Sequence, residues 1–353
     1  MQRHPTTQTF TANLSPFTYL SYTSSSILYH PIHPIPVYLS YIIPSIQLLS
    51  RPGTFRNLLR FEPDVFIDRI AAPLFDAVHL PRGYLLRAEY QATGTTRIQH
   101  RCQISKLDRL IRFFLRLRGV PFHTLSYLYD QHEMTCRRDF FHIAELFMER
   151  LEPLYVQPII IGSAEYLNLV GANAFRHFPS ALYAADVVEC SLRRPDNIGH
   201  GTYYSGYKRQ YTYQFLCCVD SKGICRHWHG HYPGSCNDIE SYYYSELYRN
   251  PQTYLGPGDK ILADGIFGRV QGANSRFIVP IGYMQRRLTP AEERYNIIHR
   301  WDRVIVEHYF ARLKLYCPFL DQYNLGRDKL NLVFSACVVI CNVLIKFQSP
   351  LRR

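Results

Sequence analysis

The sequence predicts an α/β (α+β) domain behind a helical region, and three observations support this. Beyond about residue 178, apolar residues come in strand-length blocks, three of them before any helix. A helix, a short strand ending in a carboxylate and further helices follow, the order expected of a sheet covered by helices. Between residues 53 and 155 the apolar period is helical instead. The boundaries read as an irregular segment at 1–52, a helical region at 53–155 and the α/β domain at 178–348.

Residues 1–50 carry one charged side chain, Arg3, among many Ser, Thr, Pro and Tyr, and no period persists there. The helical texture begins with FRNLLRFEPDVFIDRIAAPLFDAV, interrupted at Pro63. In KLDRLIRFFLRLRG, residues 106–119, Leu107, Leu110, Ile111 and Phe114 make one face, and Arg109, Arg112 and Arg116 the other. Gly119 and Pro121 end that helix. PFHTLSYLYD is a second, short helix, and QHEM is a turn. Thr135 is the expected N-cap of a third helix with Arg137 and Arg138 in its first turn. The pattern reads as a helix-turn-helix whose basic face meets DNA phosphate, or as a plain helical bundle with a solvated basic face.

In the second region ALYAADVVECSL, RQYTYQFLCCVD and GICRHWHGHY are strands, the last two joined by a turn at DSKG. A helix starts after PGSCND, KILADG is a short strand, and HRWDRVIVEHYFARLK and KLNLVFSACVVICNVLIKF are long helices. The alternation in CRHWHGH puts the three histidines together on one strand face. With no CxxC or HxxxH partner, that pattern is a strand rather than a zinc site. The ten cysteines are scattered and read as reduced core residues of an intracellular protein. No uncharged apolar stretch stands out as a membrane span. The excess of 40 Lys and Arg over 28 Asp and Glu, a net charge of +12, favours a polyanionic partner.

Three carboxylates stand out. Asp186 lies among Ala184, Ala185, Val187 and Val188 in a buried strand, Asp264 ends KILAD, and Glu307 interrupts an apolar helix face. Burying a carboxylate is costly unless it is paired or holds a cation, and a divalent metal would serve all three. Each also has an ordinary structural explanation. Asp264 before Gly265 makes a turn, and Glu307 can pair with Arg303 four residues earlier. Asp186 has no cation adjoining it in the sequence. Asp238 favours the positive end of the helix after PGSCND, capped by Ser235 or Asn237. Arg303 and Lys314 share the helix face of Glu307, and Lys208 and Arg209 sit among tyrosines in YYSGYKRQY. Arg303 and Lys314 are suited to steadying the Glu307 carboxylate, to DNA phosphate or to a solvated charged face. Lys208 and Arg209 are suited to a DNA backbone with stacking or to a hairpin edge protected by charge.

Four blocks, in order, resemble the DDE endonuclease domain of PIF/Harbinger-type transposases and proteins derived from them. They are AADVVECSLRRP, YYSGYKRQYTYQFLCCVDSKGICRHWHGHYPGSCNDIE, KILADGIFG and DRVIVEHYFARLK. The resemblance implies an RNase H-like mixed sheet flanked by helices, with Asp186, Asp264 and Glu307 as the metal-holding catalytic triad. Asp238 matches a further acid of the family. It also implies Mg²⁺ or Mn²⁺ as cofactor, DNA as substrate, a Myb-like accessory protein and a nuclear location. A domesticated, catalytically silent DNA-binding protein on the same fold is the alternative, and a homo-oligomer is compatible with either. Differences from the family pattern include Val187, Val188 and Glu189 after the first Asp, and His308 and Ala311 around Glu307.

Overall fold

The computed structural model describes residues 52–75, 106–193, 201–270, 276–282 and 287–348. The irregular segment expected at 1–52 lies outside these residues, apart from Pro52.

The chain enters with α1 (Pro52–Leu59) and α2 (63–75). Then come α3 (Lys106–Leu117), α4 (Phe122–Leu128) and α5 (Glu133–Leu146). As expected, α3 stops before Gly119, whose φ of 96° suits a residue without Cβ. The cap of α5 is three residues earlier than the sequence suggested. His132, not Thr135, accepts the first free backbone N–H, from Met134 at 3.2 Å. A helical extension, 147–155, leads to the short α6 (Ala164–Val170).

The sheet is built from β1 (Ala181–Ser191), β2 (Tyr204–Ser205), β3 (Gln210–Val219), β4 (Cys225–Pro233), β5 (Lys260–Leu262) and β6 (Phe277–Ile278). Between β4 and β5 lies α7 (Asp238–Tyr243), and α8 (Pro290–Tyr316) and α9 (Leu330–Phe347) follow the sheet. The spatial order is β3-β1-β5-β6, with β4 and β2 both pairing the outer side of β3. β1–β3 and β3–β4 are antiparallel, and β1–β5 and β5–β6 parallel. This mixed sheet flanked by helices is the RNase H-like arrangement expected from the sequence.

Each face of the sheet has its own core, because alternate residues of β1 and β3 point to opposite sides. Ala184, Val188, Phe215, Cys217 and Val219 join α8, α9 and the helical layer. Tyr183, Ala185, Leu216 and Cys218 pack with Leu169 of α6 and Tyr242 of α7. α9 is the shared wall: Phe334 stacks on Phe215 with ring centroids 3.7 Å apart, while α9 also packs against α5. Asn342 of α9 binds the β4 backbone, accepting from Cys225 N at 3.0 Å and donating to Cys225 O at 2.8 Å. Arg327–Phe347 is apolar enough to cross a bilayer, with a mean hydropathy of 2.1, yet 72% of that window is buried in the fold.

The three histidines of β4 do not share a face. A bulge opposite Gln214 and Phe215 inserts His231 as an extra residue. His231 therefore lies against Tyr213 and Asn331, whereas His227 packs at a tilt on Tyr254 and His229 meets Tyr232. Burial pushes His227 down to about 4.

Candidate active site

Parallel pairing of β1 with β5 places Ala184 opposite Leu262. Two residues further along each chain stand Asp186 and Asp264, so the register delivers both carboxylates to the same end of adjacent strands. α8 packs across β1 and β5 there and brings Glu307. The helix is locked in place along its length. Thr289 and Glu292 form a capping box at its start. His299 Nε2 lies 3.0 Å from Ile278 O, and Asp302 accepts from His177 N at 2.8 Å. Val306, Tyr309 and Leu313, at positions i, i+3 and i+7, are fully buried. Arg303 and Glu307 stand at the rim of that face.

Arg303 joins two of the three acids. Its Nη1 donates to Asp186 Oδ2 at 2.8 Å and its Nη2 to Glu307 Oε1 at 2.5 Å. The helix pair Glu307–Arg303 expected from spacing is present, and the same guanidinium supplies the partner that Asp186 lacks in the sequence. Val187 N also donates to Asp186 Oδ1 at 2.9 Å. Burial nevertheless raises the Asp186 carboxyl above its usual range, with Arg303 opposing the shift and Asp264 adding to it. Asp264 is exposed and caps the turn Gly265–Arg269 by accepting from Gly265 N. Its position in a turn and its position beside Asp186 are both realised.

Asp238 belongs to this cluster as well as to a helix start. Asn237, not Ser235, is the N-cap of α7, in a capping box with Glu240. Asp238 sits in the first turn, pushed up to about 6 by burial and then by Asp186, Asp264 and Glu189. Glu189 is the acid that the sequence reading passed over. Its Oε1 is 3.5 Å from Ser205 Oγ, while Oε2 is buried with no hydrogen-bond partner. The argument used for Asp186, a carboxylate in an apolar strand, applies to Glu189 three residues later and would have found it.

The basic residues divide differently from expectation. Arg109, Arg112 and Arg116 do not form a solvent-facing stripe: they are 4%, 2% and 6% exposed. Asp139 of α5 takes Arg109 at 2.8 Å and also pairs with Arg112. Arg116 lies over the rings of Phe122 and Phe319, 4.8 and 3.8 Å from their centroids, and burial lowers it to about 10. Arg137 is half-buried and paired with Glu133 at 3.1 Å. Lys314 is drawn away from the acids to Asp321 at 2.8 Å. Arg138, Lys208 and Arg209 are exposed. Lys208 stands 5.0 Å from the centroid of the Tyr207 ring. Ser205, at the start of this basic hairpin, reaches Glu189, so the hairpin borders the acidic cluster.

Asp186, Asp238, Asp264 and Glu307 offer oxygen donors only, the kind a hard divalent cation takes. Burial raises Asp186 and Asp238 first, and neighbouring acids add to it; added positive charge relieves that crowding. In donor chemistry the residues therefore fit a Mg²⁺-type ion. In this arrangement Arg303 supplies the charge, and among the described residues no three Asp, Glu, His or Cys side chains are gathered to hold a metal.

Neither the curated proteins nor the solved structures give a match to the chain. Residues 185–342, a stretch that holds Asp186, Asp238, Asp264 and Glu307, match the family model described as DDE superfamily endonuclease.

Proposed function

We propose that the protein is a divalent-metal-dependent DNA nuclease of the Harbinger transposase type, acting through Asp186, Asp264 and Glu307. The observation that carries this reading is the delivery of carboxylates from β1, β5 and α8 to one end of an RNase H-like sheet, crowded by Asp238. Bound Mg²⁺ or Mn²⁺ supplies Lewis acidity at a phosphodiester oxygen and a more acidic water. The chain's part is to hold and orient. Asp186 is fixed by the Val187 N–H, Asp264 by the Gly265 N–H, and Glu307 by a helix capped at its start and packed through Val306, Tyr309 and Leu313. Lys208 and Arg209, beside exposed Tyr207, are placed to guide a DNA strand toward the acids. Arg138 offers a further phosphate contact from the helical layer, in which α3, α4 and α5 serve as the helix-turn-helix. Nuclear location and a Myb-like accessory protein complete the proposal, on the resemblance of the four sequence blocks.

The test is nicking of supercoiled plasmid with Mg²⁺ or Mn²⁺, comparing the wild type with Asp264→Ala. Nicking lost in the variant supports the reading. Equal nicking by two folded proteins refutes it. A second reading, a silent DNA-binding protein, is favoured by one observation: Arg303 already occupies oxygens of Asp186 and Glu307. Salt-sensitive DNA binding with no metal-dependent nicking would select it.

A further inference from the structure

We infer that Arg303 is the resident cation of the acidic cluster, and that a divalent ion enters by displacing its guanidinium. The inference rests on the metal-dependent reading above and adds to it a gate built from the chain itself.

The guanidinium binds Asp186 Oδ2 and Glu307 Oε1, one oxygen from the strand and one from the helix. An ion shared by those two residues needs oxygens from the same carboxylates, so guanidinium and ion compete. Arg303 brings one positive charge to a site faced by Asp186, Asp238, Asp264 and Glu307. A doubly charged ion neutralises more of that excess at the same distance. The competition is therefore decided by charge and by how easily the guanidinium leaves.

The helix cannot withdraw to make room. On one side of Arg303, His299 is held at Ile278 O and Asp302 at His177. On the other, Val306 is fully buried. Only the side chain can move. It is 16% exposed, at the edge of the site, and sits on a long flexible stem. Once displaced it stays tethered at the mouth, where a planar fork of donors suits an incoming phosphate. The ion-free site is thus closed by an internal pair, and metal entry coincides with release of a phosphate-binding group.

Arg303 acts here by competing with the ion, so the test reads metal affinity rather than activity. Mn²⁺ alone is titrated calorimetrically into the full chain, wild type against Arg303→Gln and Arg303→Lys, with thermal melting as the check on folding. Removing a charge-assisted pair that the ion must break is expected to tighten Mn²⁺ binding by about tenfold in R303Q. R303K, with a single ammonium in place of the fork, falls between the two. Metal-free R303Q melts lower than wild type and gains more from Mn²⁺. Unchanged or weaker Mn²⁺ binding by a cooperatively melting R303Q overturns the inference and makes Arg303 a brace for the ligands. Should R303Q not fold, R303K decides, and an affinity equal to wild type overturns the inference. Mn²⁺ binding by none of the three is a distinct result: it removes the metal-dependent reading and the gate with it.

Discussion

Arg109 and Asp139 meet at 2.8 Å inside the helical layer, and Arg112 reaches the same carboxylate, so one buried acid holds two buried arginines. Removing the acid strands both guanidinium groups away from water, which is far costlier than losing a surface pair. Asp139→Ala is expected to destabilise the protein by about 3 to 5 kcal/mol. Urea unfolding monitored by circular dichroism measures this. A change below about 1 kcal/mol, the range of an exposed pair, contradicts the buried network.

DNA affinity should follow the exposed basic residues only. Lys208→Ala and Arg209→Ala are each expected to reduce the salt dependence of DNA binding by about one unit of slope. Arg112→Lys, which keeps the charge inside the core, should leave the slope unchanged wherever the protein folds. Fluorescence anisotropy on labelled duplex across a salt series gives the slopes. An effect from Arg112→Lys as large as that from Lys208→Ala would return the buried arginines to the interface.

Asp238 makes metal-free stability depend on pH. Its folded carboxyl is pushed up to about 6 from an ordinary 3.8, so folding favours the protonated form. That stabilisation is complete below about pH 4 and is lost as pH rises through 6. Asp238→Asn keeps the neutral form at every pH. The variant should match wild type near pH 4 and exceed it by about 1 kcal/mol above pH 7, after discounting for partial exposure. Melting curves in EDTA at both pH values measure the difference. The same gap at both ends would show that Asp238 does not titrate in the cluster.

The main strands and the long helices are legible in the sequence because each carries its own period. β1, β3 and β4 appear within two residues of the apolar blocks that announce them, and α9 as a nearly unbroken apolar run. Asp186 is legible as a misfit, a carboxylate in an apolar strand; Asp264 and Glu307 stand out in the same way in the sequence, yet both are exposed in the fold. The buried arginines are not legible. A helical wheel places Arg109, Arg112 and Arg116 opposite the apolar stripe, but it cannot show a partner on another helix such as Asp139. Nor can it show an aromatic clamp such as Phe319 over Arg116. His231 fails for a similar reason: strict alternation holds only until the ladder takes an extra residue. Arg303 is half legible, since its Glu307 pair is local and its Asp186 pair comes only from packing.

The wall formed by α9 also sets an order in time. The helical layer and the strands it must face leave the ribosome well before Leu330–Phe347, yet both lack a main packing partner until that helix appears. A nascent chain ending ahead of Leu330 holds Phe215 and Trp228 without Phe334, the ring that packs on both. The last helix thus acts as the latch of synthesis, and shortened products are expected to be cleared rather than to persist as separate halves.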